Sequence, residues 1–103
     1  MYDKASSELM IDNNDVRIMK WSFEPNHSTG LHKHEYDYVV VPCKTGQLNI
    51  ITENENMTSD LVIHQPYHRK KGVEHEVVYN GDSFMEFIAV SYTHLTLPTS
   101  DLV

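Results

Sequence analysis

The sequence predicts an all-β fold, a sandwich or barrel of short strands, on three observations. No window carries a sustained 3.6-residue apolar period, so no helix is indicated. Runs rich in β-branched and aromatic residues recur instead, at intervals of roughly 8–12 residues. The gaps between them hold Gly, Pro, Asn or Asp, which lower the cost of turn dihedrals.

The runs are taken in order. Residues 8–11 form a short first strand, closed by Asp12-Asn13-Asn14-Asp15. In 16–23, Arg17, Met19, Trp21 and Phe23 share one face, which makes Trp21 a core anchor. Pro25-Asn26 turns the chain, and residues 31–34 and 36–43 follow as strands. Lys44-Thr45-Gly46 leads into 47–52, and Glu53-Asn54-Glu55 into 56–61. After Gln65-Pro66 come 67–69, 75–79 and 84–90. Asn80-Gly81-Asp82, between the last two, is the strongest turn signal, because Asn-Gly reaches positive φ at little cost.

Composition bounds the function. A chain of 103 residues is one domain by length. A net charge of −7 argues against a nucleic-acid partner. The one basic cluster, Arg69-Lys70-Lys71, reads as a solvated turn. No apolar run is long enough to span a membrane, and the first ten residues lack a secretory core. A single cysteine, Cys43, excludes an internal disulfide framework, fits a cytoplasmic protein, and reads as a packed residue.

Two histidines carry the chemistry. His32 and His34 flank Lys33 in a strand, where residues i and i+2 share a face about 6.5–7 Å apart. Two neutral imidazoles so placed can converge on one ion. His75, opening the run "HEVVY" after Gly72, is the candidate third ligand. Three imidazoles suit Fe, Zn, Mn, Ni or Cu and do not suit Ca or Mg. Alternation from His34 sends Glu35 and Asp37 to the opposite face; a bulge would turn Asp37 inward, which makes it the candidate fourth ligand. Tyr36 and Tyr38 share the face of His34 and either line a pocket or build the barrel wall. His68 points either into the barrel beside the metal or out to water. His64 and His27 read as turn residues.

The chain resembles a small single-domain cupin, the RmlC-like jelly-roll family, over 16–90. The resemblance rests on His32-Lys33-His34 closing with Gly46, and on Gly72-Val73-Glu74-His75 with Asn80 after it. It departs at Gly30, which sits two residues before His32 instead of six, and at the position of the motif glutamate, which falls on Tyr38 or Val39. The resemblance implies a jelly-roll barrel holding a divalent transition metal on the histidines, a small-molecule ligand, and a homodimer paired through sheet edges. Two functions follow: a metal-binding cupin of unassigned activity, or a metal-dependent enzyme, dioxygenase- or isomerase-like, acting on a small metabolite.

Residues 1–15 are then an N-terminal segment with an edge strand, and 16–90 the cupin domain. Residues 91–103 are expected to be a non-native tail. Ser91 to Thr99 resembles the translation of a sequencing adaptor, and the last strand is expected to be cut at Val90.

Overall fold

The computed structural model describes residues 2–93. They form eleven β-strands and no helix. In chain order these are β1 (Asp3–Lys4), β2 (Ser6–Asp12), β3 (Val16–Phe23), β4 (His27–Ser28), β5 (His32–Lys33), β6 (Tyr38–Pro42), β7 (Gly46–Ile51), β8 (Asn56–Leu61), β9 (Tyr67–Arg69), β10 (Glu74–Tyr79) and β11 (Met85–Tyr92).

Two sheets face one another. One runs β1-β4-β10-β7-β8, with β5 paired to β10; the other runs β2-β3-β11-β6-β9. Every pairing is antiparallel except the two-residue β1–β4 ladder. The result is a jelly roll, as the sequence predicts. No helix among the described residues is long and apolar enough to cross a membrane.

Pleating explains which side chains go in. In β6, Tyr38, Val40 and Pro42 are buried while Val39 and Val41 are less so. Phe23, Leu48, Leu61, Val78 and Met85 are the most deeply buried large residues. Phe23 packs on Phe87 at 5.5 Å and on Tyr79 at 6.5 Å between ring centroids. Core residues Val40, Leu48, Val77 and Phe87 also form wall of an interior cavity.

Turn chemistry sets the joints. Asn13 Oδ1 accepts from the amides of Asp15 and Val16 at 2.8 and 2.9 Å, folding β2 onto β3. A register shift between Leu9 and Ile11 puts a bulge into β2, the edge strand. Short β1 and β4 carry no apolar period, so neither is visible in the sequence. Backbone pairing holds them, the Ala5 amide donating to Ser28 O at 2.8 Å and Asn26 N to Tyr79 O at 2.7 Å, and the buried Ser28 hydroxyl adds a bond to the Glu76 carboxylate. Ala5, buried between β1 and β2, is where the N-terminal segment crosses from one sheet to the other.

The last strand does not stop at Val90. β11 continues through Ser91 and Tyr92, which pair with Arg17 and Val16, and the Thr93 amide donates to Asp15 O at 3.0 Å. Ladder hydrogen bonds belong to the backbone, so they form whatever the side chains are. Positions 94–103 of the expected tail lie outside the described residues.

Candidate metal centre

His32 lies on β5 and pairs directly across from His75 on β10. β5 ends at Lys33, but the ladder does not: the His34 amide donates to Val73 O at 2.9 Å, and Gly72 N donates to His34 O at 2.8 Å. The i, i+2 alternation therefore survives to His34. Gly72 makes the return with φ of +101°, and Gly30, at +79°, starts the approach to His32. Both lie in the left-handed region, where glycine avoids the Cβ clash.

The three Nε2 atoms converge. His34 Nε2 lies 3.1 Å from His32 Nε2 and 3.1 Å from His75 Nε2, and the three possible ligand atoms fall within 4.8 Å of one another. With metal–nitrogen bonds of about 2.0–2.1 Å, the 3.1 Å spacing subtends about 95–102° at a common ion. That lies between the ideal angles of octahedral and tetrahedral coordination, so His32, His34 and His75 would fit as ligands of one ion.

Neighbouring groups orient the rings. His32 Nδ1 donates to Gly30 O at 2.9 Å. A carbonyl only accepts, so the proton sits on Nδ1 and Nε2 carries its lone pair toward the other two histidines. Thr29 braces the same carbonyl: its hydroxyl donates to Gly30 O at 2.9 Å and accepts from Val77 N at 3.0 Å. The Tyr38 ring stacks on His34 with centroids 3.9 Å apart and planes 15° from parallel. Trp21 lies nearly parallel to His32 at 6.4 Å.

Burial holds His34 and His75 neutral. Desolvation, reinforced by the neighbouring imidazoles, lowers both from 6.5 to about 4. Neutral nitrogen is the form that binds a metal. The donor set thus fits a borderline transition metal: three imidazoles with converging Nε2 atoms and no carboxylate among them.

The other candidates fall elsewhere. Asp37 is not brought to the histidines. Its Oδ1 accepts from Lys71 N at 2.8 Å and its Oδ2 lies 3.8 Å from Lys70 Nζ. The Lys71 amide also holds its carboxyl below the usual range. Residues 35–37 leave the ladder, so no bulge turns this side chain inward. Tyr36 sits at the bend in that break and does not line the cavity, whereas Tyr38 does. His68 points out to water; its neighbours Tyr67 and Arg69 take the inward face of β9. His64 occupies a turn with φ of +64°.

The histidines stand in the wall of a cavity of about 260 Å³. Val40, Leu48, Ile50, Val77 and Phe87 supply apolar wall. Trp21, read from the sequence as core, lines this cavity. Tyr67 and Arg69 were also legible in principle: in a three-residue strand, an outward His68 forces both inward.

A jelly roll with three imidazoles gathered on its inner wall is the architecture of a cupin, and this chain belongs to that family. It is 41% identical over 75 residues to the β-alanine degradation protein BauB of Pseudomonas aeruginosa, covering 73% of this chain and 79% of BauB. A cupin domain from Bordetella pertussis superposes with a TM-score of 0.87 at 37% identity, over 89% of this chain and 96% of that one. An RmlC-like cupin from Methanocaldococcus jannaschii, 13% identical, shares the fold with a TM-score of 0.69 over 87% and 81% of the two chains. No protein-family model matches the sequence.

Proposed function

We propose that this cupin holds a divalent transition metal on His32, His34 and His75 and takes a small organic molecule into the barrel. The observation that carries this is the 3.1 Å convergence of three imidazole Nε2 atoms on a cavity wall. A shared proton satisfies one pair of nitrogens at that distance, whereas a single cation satisfies all three. Bound there, the ion supplies Lewis acidity. The chain's own residues do the rest. Gly30 and Thr29 fix the His32 ring, Tyr38 fixes His34, and the apolar walls exclude water from the ligand. Iron, zinc, manganese, nickel and copper all suit the donor set. The test is metal analysis of protein purified without a His-tag, beside a His34→Ala variant. About one ion per chain in the first and loss of most of it in the second is the expected result.

A metal-dependent enzyme, dioxygenase- or isomerase-like, is the second reading. It is favoured by the exposure of the three histidines to the apolar cavity, where a substrate would meet an ion held by them. An oxygen-consumption screen with small thiols, diketones and acids tests it. The protein is further proposed to be cytoplasmic and a homodimer, without nucleic-acid or membrane partners. The net charge of −7 supports the exclusion of nucleic acid.

A further inference from the structure

The chain carries a net charge of −7, yet its cavity is lined by cations. Arg69 and Lys70 lie on the lining, and among the described residues no Asp or Glu does. Chance placement on so acidic a chain would favour the reverse. The cavity therefore has a sign, and the sign is opposite to the molecule's.

The two cations are not equivalent. Lys70 is 82% exposed along its side chain and leans toward Asp37 at 3.8 Å. It is a solvated neighbour of the mouth. Arg69 is built in. Its guanidinium carbon lies 4.4 Å from the centroid of the Tyr67 ring, and its Nη1 donates to its neighbour's backbone, His68 O, at 3.0 Å. Among the described residues no carboxylate forms an ion pair with it. The Tyr67 face and the His68 carbonyl together fix the plane of the fork. Most of its five N–H donors are left for something else. A guanidinium so held, with one planar edge free, matches a carboxylate.

We infer that the barrel selects small organic carboxylates. The acid group sits on Arg69 at the mouth, and the body of the ligand lies among Trp21, Val40, Leu48 and Ile50, toward the histidines. The volume of about 260 Å³ suits a metabolite and not a polymer, being below the range of about 300–1,000 Å³ that holds drug-sized molecules. This rests on the metal-centre reading only for what the far end of the ligand meets.

Trp21 is the single tryptophan and lines the cavity, so its fluorescence reports occupancy. Zinc-loaded protein and protein stripped with EDTA are each titrated with hexanoate, hexanamide and hexylamine. Hexanoate is expected to bind at least about tenfold tighter than hexanamide in both forms, the equivalent of about 1.4 kcal/mol. Hexylamine is expected to bind more weakly than either. Arg69→Gln should bring acid and amide to similar affinity while zinc content and melting temperature stay at wild-type values, and Arg69→Lys should restore part of the preference. Equal binding of acid and amide to stripped wild-type protein, no binding of either, or an acid preference that survives Arg69→Gln overturns the inference. The two readings fail separately. Wild-type protein that takes no zinc yet prefers the acid sinks the metal centre alone. Protein that takes zinc with no Arg69-dependent preference sinks the carboxylate site alone.

Discussion

The phenol of Tyr38 and the imidazole of His34 lie face to face, 3.9 Å between centroids and 15° from parallel. Tyr38 is 5% exposed, and it belongs to β6 in the sheet opposite the one that carries His75. The histidine ring is thus pressed from behind by the facing sheet while its Nε2 points at the other two imidazoles. Tyr38→Phe keeps the slab, and its metal content and stability should stay within about 1 kcal/mol of wild type. Tyr38→Ala removes it. That variant should lose about 3–5 kcal/mol, the ordinary cost of deleting a large buried ring. Its zinc affinity should fall about tenfold or more, as when a ligand's orienting partner is lost. Denaturant melts and competition with a chelating dye measure the two effects. Unchanged affinity in Tyr38→Ala would mean the ring only fills space.

His34 is the nitrogen common to both 3.1 Å contacts, so its removal should cost more metal than removal of either neighbour. Inductively coupled plasma measurements on His32→Ala, His34→Ala and His75→Ala should rank them with His34 lowest. Full stoichiometry in His34→Ala would refute the centre.

Acid should weaken the metal-free fold in a defined window. His34 and His75 are lowered in the folded protein from 6.5 to about 4. Between those values the unfolded chain binds protons that the folded one refuses. Stability therefore falls as pH drops from 6.5 toward 4, and these two groups contribute nothing to pH dependence above 6.5. Melts of EDTA-treated protein from pH 7.5 to 5 should show that decline, and His34→Gln/His75→Gln should flatten it. Parallel curves for the two proteins would contradict the assignment. The metal-loaded protein should release its ion on acidification, since imidazolium has no lone pair to give.

The proposed homodimer has a stated surface. β2 is an edge strand whose residues are all exposed, with Leu9, Met10 and Ile11 at 53%, 47% and 46%. Three consecutive exposed apolar residues on a sheet edge invite pairing with another chain. Sedimentation at micromolar concentration should give twice the monomer mass, and Met10→Lys should shift it toward monomer. A wild-type species of monomer mass alone would count against the pairing.

Much of this was legible in the sequence, for physical reasons that also mark where legibility stopped. Val16–Phe23, Asn56–Leu61 and Tyr67–Arg69 coincide residue for residue with β3, β8 and β9, because flanking turn residues punctuate them. Strand period put His32 and His34 on one face, and His75 was legible from the Gly72 turn that opens its strand and from the family motif. Asp37, Tyr36 and β4 resisted the same logic. Alternation holds only while the chain stays in the ladder, and residues 35–37 leave it. β4, Asn26 and His27 are organised by hydrogen bonds to Tyr79 and to the N-terminal segment, partners more than twenty positions away that no local pattern encodes.

β11 lies in the middle of its sheet, with β3 on one side and β6 on the other. Ser22 of β3 donates to Glu86 of β11 at 3.1 Å across 64 positions of sequence. On the ribosome, β3 and β6 emerge long before the strand that joins them. Each must wait with one edge unpaired until residues 85–92 clear the exit tunnel. Folding of this sheet is thereby postponed to the end of synthesis of these strands, and such non-local closure is intrinsically slow, about milliseconds to seconds. A nascent chain stalled before Met85 should bind chaperones and succumb to protease, and one released past Thr93 should not.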